Sequence, residues 1–154
     1  LYIANHNHFP HDILMCCAEA TKFNSTLNII SYAKERPVRN MLKRLPLFPS
    51  YNILWTQDST VSKSVEQLHL GNPVWMYHQP NNTRTGAYEI ARQSKCKVVL
   101  VKIRAEDNRE SKFIQFNRSF SMEYEPIEVD DVLHCSQSFN KRVHDVLYPP
   151  EQVV

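Results

Sequence analysis

Short apolar runs and stretches of helical spacing take turns along this chain, and that alternation limits its fold more than any single motif does. Leu1–Asn5, Leu27–Ala33 (LNIISYA), Asn52–Thr56 (NILWT), Val74–His78 and Lys97–Ile103 (KVVLVKI) read as strands. Between them, Pro10 suits a first helical turn, and Ile13, Leu14, Cys17 and Ala18 follow at helical spacing. Pro37 opens a short basic helix, Val38–Arg44, which the loop of Pro46 and Pro49 ends. Val61–Leu70 and Gly86–Ser94 are further helices, separated by the Gly71-Asn72-Pro73 turn, the Val74–His78 strand and a polar loop, Gln79–Thr85. Alternation in Phe113–Tyr124 supplies one or two more strands, and Val129–Leu147 is a closing helix. Strands alternating with helices call for an α/β fold: a mostly parallel or mixed sheet flanked by helices on both faces. One domain over residues 1–154 is expected. Because the chain opens inside an apolar strand-like run, that domain reads as one cut from a longer chain.

Composition removes several classes of function. A chain of 154 residues can bury roughly 70% of its unfolded surface, enough for a real core. Gly71 and Gly86 are its only glycines, so a glycine-rich phosphate loop or dinucleotide fingerprint is absent. A net charge of +2 gives no reason to expect nucleic acid as a partner. The four cysteines, Cys16, Cys17, Cys96 and Cys135, form no Cys-x-x-Cys pair, which favours an intracellular, reducing environment over a disulfide framework. No run approaches the ~20 apolar residues of a membrane span.

The chemistry concentrates in "NHNHFPHDIL", which packs His6, His8, His11 and Asp12 into seven positions after the first strand. Three readings apply. Histidine and carboxylate are sound zinc ligands, and His6-x-His8-x-x-His11-Asp12 resembles the His-x-His-x-Asp-His site of metallo-β-lactamase-like hydrolases, with aspartate and third histidine in reversed order. A solvated loop carries histidines without chemistry. A histidine beside an aspartate is also a general base with its orienting acid.

Segments further on give the third reading its context. "LYIANHNHFPHDIL" is similar to a strand, Asn-His, four-residue gap and Asp-Ile-Leu pattern; "NPVWMYHQPNNTRTGAYEIARQSKCKVVLVKI" is similar to a strand, Phe-Pro-Glu-Gly-Thr-Arg, Gly-Ala helix and Val-Pro-Val strand. "FSMEYEPIEV" is similar to a strand ending in Gly-x-Pro-Ile, and "SYAKERPVRNMLKRLPLFPSYNILWTQ" to a lysine-bearing helix, Pro-Phe turn and strand. In this order the segments resemble the glycerolipid acyltransferases, which acylate glycerol-3-phosphate and lysophosphatidic acid, over residues 1 to about 130. The resemblance implies an acyltransferase-like domain of phospholipid biosynthesis. It would move an acyl chain from acyl-CoA or acyl-carrier protein to a glycerol-phosphate or lysophospholipid hydroxyl, with no metal and no bound cofactor. It also implies that His6 or His8 is the base, that Asp12 orients it, and that Thr83 and Arg84 hold the acceptor's phosphate. By the same resemblance, Asn81, Asn82 and Lys34 would line the acceptor.

The departures are specific. Five residues separate His6 from Asp12, three separate His8 from Asp12, and only His6 to His11 keeps the four-residue gap. His6 is preferred because Asn5-His6 continues directly from the strand. The family's Glu-Gly is Asn81-Asn82 here, its arginine after the third strand is Gln57, and the proline of its Val-Pro-Val strand is Leu100. Losing polar chemistry while keeping fold-bearing features favours a second expectation, a catalytically inactive scaffold or lipid-contacting component; a metal-dependent hydrolase is the third. The basic run Lys34, Arg36, Arg39, Lys43 and Arg44, beside Leu45, Leu47 and Phe48, suits a solvated helix face or peripheral contact with anionic lipid. Trp55, Trp75 and Phe116 are expected in the core.

Overall fold

Five of the apolar runs form parallel strands: β1 (Tyr2–Asn5), β2 (Leu27–Ser31), β3 (Tyr51–Trp55), β4 (Val74–His78) and β5 (Val98–Glu106). A sixth, β6 (Ser119–Ile127), lies antiparallel to β5, and the strand order is β3-β2-β4-β1-β5-β6. Among the described residues three helices of defined bounds accompany them: α1 (Thr60–His69), α2 (Gly86–Ser94) and α3 (Ser136–Leu147). The computed structural model describes residues 1–5, 22, 26–31, 37, 40–41, 44, 51–56, 59–80, 83–106, 119–128 and 135–150. The fold is α/β with a mostly parallel mixed sheet, as the alternation of elements requires.

Both faces of the central strands are dry. Leu1, Ile3, Val74, Val98, Leu100 and Ile127 occupy alternate positions on one face and join Ala87, Ile90 and Ala91 of α2 and Phe139, Val143, Val146 and Leu147 of α3 in one core. Val61, Val65 and Leu68 of α1 pack against the same cluster. On the opposite face Ala4, Leu27, Ile29, Trp75, Val101 and Ile103 are also buried. Trp75 is fully buried, as expected, with Tyr2 stacked on it at 5.7 Å and Tyr77 edge-on at 6.4 Å. Phe116 and the side chain of Trp55 lie outside the described residues.

All three described helices sit on one face of the sheet, and chirality explains two of them. The connections β3→α1→β4 and β4→α2→β5 both step toward β6, so right-handed crossovers put α1 and α2 on the same side. The two connections that step toward β3, from β1 to β2 and from β2 to β3, run mostly through residues outside the described set. The expected helix after Pro10 lies there too, while Asn40 and Met41 of the expected basic helix are helical.

Two expected boundaries are corrected. β6 runs on to Ile127 and not only to Tyr124, because its register with β5 continues through Val99↔Pro126 and Val98↔Ile127. Pro126 lacks an N–H, which an edge strand tolerates. α3 begins at Ser136, seven residues after the expected start at Val129. Cys135 is extended (φ −158°, ψ 159°), and its sulfur accepts the Ser138 N–H, so it caps the helix and does not belong to its interior. Val129–His134 lie outside the described residues. No described helix is long and apolar enough to cross a membrane.

Candidate functional site

The five parallel strands end along one edge of the sheet, and two neighbouring ends carry the segments singled out by sequence. β1 ends at Asn5, in register with His78 at the end of β4. From these two ends the chain leaves in opposite directions across the sheet, β1 toward β2 and β4 toward β5. Each connection steps past the other's strand, and open α/β sheets bind their ligands beyond the carboxyl ends of the strands, the edge where both segments start.

Asn5 is built into this edge. It is buried, its Nδ2 donates to the Ile103 carbonyl at 2.9 Å, and its Oδ1 accepts the Ile103 N–H at 2.6 Å. The side-chain amide thus continues the β1–β5 ladder past its last backbone pair, Ala4↔Val101, and fixes where the chain turns out of the sheet. Asn5→Ala leaves both Ile103 groups buried without this partner. We expect a loss of about 2 kcal/mol, read as a lower urea midpoint at unchanged m-value; an unchanged midpoint would show that the pairing carries no net stability.

His78 lies on the helix-covered face at the same edge. Its imidazole is 2% exposed, and neither ring nitrogen has a hydrogen-bond partner among the described residues. Burial, with a smaller repulsion from His144, lowers its pKa from 6.5 to about 4, so the ring is neutral at pH 7. The Tyr148 ring lies 6.1 Å from the His78 ring and 5.5 Å from that of His144, so the three rings form a short aromatic row between β4 and the end of α3.

Thr83 and Arg84 are exposed in the segment that leads from β4 into α2. Thr85 is the N-cap of α2 without a side-chain cap hydrogen bond, and Gly86 has nothing within 4 Å of where a Cβ would stand. An arginine beside the positive end of a helix dipole is a fit for an anion. The carbonyl of Arg84 accepts a hydrogen bond from Asn140 Nδ2 at 3.2 Å, and the carbonyl of His78 accepts one from the Tyr148 hydroxyl.

Of the residues read from sequence as the site, Thr83 and Arg84 lie among the described residues, in the segment between β4 and α2. His6, His8, Asp12, Lys34, Asn81 and Asn82 lie outside the described residues, as do His11 and Gln57. Leu100 is buried in the β5 core. Among the described residues there is no group of three or more His, Cys, Asp or Glu able to hold a metal ion. Cys96 and Cys135 are free thiols. The contribution of Asn140 and Tyr148 to this edge was not apparent from sequence: "SQSFNKRVHDVL" announces an amphipathic helix, and nothing in it marks which polar side chain reaches a loop. No protein-family model and no curated protein matches the chain.

Proposed function

We propose that this domain is an O-acyltransferase that moves an acyl chain from a thioester to the hydroxyl of a phosphate-bearing glycerolipid. The observation that carries the reading is the register Asn5↔His78. It starts the His6–Asp12 segment and the segment that leads to Thr83 and Arg84 from adjacent strand ends, as the likeness to glycerolipid acyltransferases requires. In the reaction, a histidine, His6 by preference and otherwise His8, takes the proton of the acceptor hydroxyl. The hydroxyl oxygen then attacks the thioester carbonyl carbon, the carbon–sulfur bond breaks, and the leaving thiolate takes the proton back from the imidazolium. Asp12 holds the imidazole tautomer and stabilises the cation. Arg84 and Thr83 bind the acceptor's phosphate beside the α2 N-terminus, aligning the hydroxyl, while Asn81, Asn82 and Lys34 line the acceptor. The donor is acyl-CoA or acyl-carrier protein. Peripheral contact with an anionic membrane fits the exposed Met41 and Arg44 in the basic segment.

A second reading, a catalytically inactive scaffold of the same fold, is favoured by Asn81-Asn82 where the family has Glu-Gly and by Gln57 where it has arginine. Turnover of the parent chain separates the two, and acceptor choice tests the phosphate role. With lysophosphatidate as acceptor, Arg84→Ala should lower kcat/KM by about 10–100-fold, the loss of a charge-assisted phosphate contact. With an uncharged monoacylglycerol the same variant should match the parent. Equal losses with both acceptors would remove Arg84 from the phosphate role.

A further inference from the structure

We propose that α3 is the positioning element of the Gln79–Thr85 loop, holding it at both ends through Tyr148 and Asn140; the inference rests on the acyl-transfer reading of that loop. The Tyr148 hydroxyl donates to the carbonyl of His78, the last residue of β4, and Asn140 Nδ2 donates to the carbonyl of Arg84, the residue before the α2 cap. The two carbonyls bracket the loop, and the helix that grips them lies 70 and 56 residues further along the chain.

At the start of α2 the Glu89 N–H donates to the Thr85 carbonyl at 2.9 Å. Thr85 gives α2 no side-chain cap, and the hydrogen bond from Asn140 of α3 restrains the peptide plane at Arg84. The carbonyl carbon is bonded to the Arg84 Cα, so holding that plane restrains the backbone from which the guanidinium extends.

The grip stands on a rigid base. Phe139, Val143, Val146 and Leu147 bury one side of α3 in the core, Phe139 packing against Tyr88 of α2 at 6.0 Å between ring centroids. Tyr148, the C-cap of α3, stands eight positions after Asn140, about 12 Å at the rise of a helix, which is a span suited to the two ends of a short loop. Precise placement of a binding side chain requires support of this kind from a packed element. Asn140 and Tyr148 are thus positioning residues for the phosphate site, acting through the backbone carbonyls of Arg84 and His78.

The test uses the full chain with Tyr148→Phe, which deletes only the hydroxyl, Asn140→Leu, which keeps the size and loses the donor without adding charge, and the double variant. Amide hydrogen exchange at Thr83, Arg84 and Thr85 should speed up about fivefold in each single variant and more than ~10-fold in the double, while β4 and α3 amides keep the parent's rates. The affinity for glycerol 3-phosphate should fall about tenfold in the double variant. In turnover, the acceptor KM should rise, with kcat at saturating acceptor and the acyl-CoA KM unchanged. Unchanged exchange in the loop, or equal acceleration across the whole domain, overturns the clamp. Faster loop exchange with unchanged glycerol 3-phosphate affinity overturns its positioning role. A parent chain that binds no glycerol 3-phosphate overturns the acyl-transfer reading and the positioning role with it, whereas the exchange rates still decide whether α3 grips the loop.

Discussion

Alanine in place of His6 is expected to lower acyl transfer by about 10²–10⁴-fold, the range lost when a positioned general base is removed. The measurement is release of free thiol from an acyl-CoA in the presence of lysophosphatidate, with kcat as the affected parameter. An alcohol at pH 7 holds its proton too tightly to attack a thioester unaided, so loss of the base acts on the chemical step and not on binding. Asp12→Asn should reproduce most of the effect, because the carboxylate sets which ring nitrogen carries the proton. His8→Ala should be milder. Asn5, gripped on both its polar atoms by Ile103, fixes the end of β1, and His6 is the next residue of the chain. A severe loss in His8→Ala with an active His6→Ala would move the base two residues on and make the loop shorter than in the family. If both variants match the parent, the histidines carry no part of the chemistry.

The second large effect concerns stability in acid. Burial, and then the neighbouring His144, hold the folded-state pKa of His78 at about 4, below its ordinary 6.5. Between these values the unfolded chain binds a proton that the folded chain does not. The stability involved is therefore complete above about pH 6.5 and is lost as pH falls toward 4. Linkage gives a loss of about 3 kcal/mol from this one ring between pH 7 and pH 4. Urea unfolding followed at several pH values should show it, and His78→Leu should flatten the slope across that window. An identical slope in the variant would assign the acid sensitivity to other groups. The consequence reaches the candidate site, since protonating His78 places a charge beneath the carbonyl that Tyr148 holds.

The fold was legible where turn chemistry and apolar runs agree. β4 and α2 have the boundaries that the Gly71-Asn72-Pro73 turn and Gly86 announce. β1 and the core strand β5 were marked by their unbroken apolar runs, although β5 extends to Glu106 because β6 pairs along its whole length. The errors have physical causes. At α3 the apolar residues Val129, Val132 and Leu133 prolong a helical pattern past a cap made by a cysteine, a residue with no strong capping signature. At β6 the end of the strand is set by the partner's register, which the strand's own alternation does not contain. The candidate site was legible as motifs and as the adjacency that a parallel sheet gives them. Its supports were not. Asn5 read as part of an Asn-His pair, while its amide completes a ladder with a residue 98 positions away. Asn140 and Tyr148 act through backbone carbonyls, a kind of contact that leaves no trace in a motif.

The most direct test of the acyl-transfer account is the rate of thiol release from a long-chain acyl-CoA by the parent chain, with and without lysophosphatidate. The account predicts release that depends on the acceptor and is matched, mole for mole, by the diacylated phosphate product. No acceptor-dependent release from a folded protein, across both glycerol 3-phosphate and lysophosphatidate, would contradict it and leave the scaffold reading in its place.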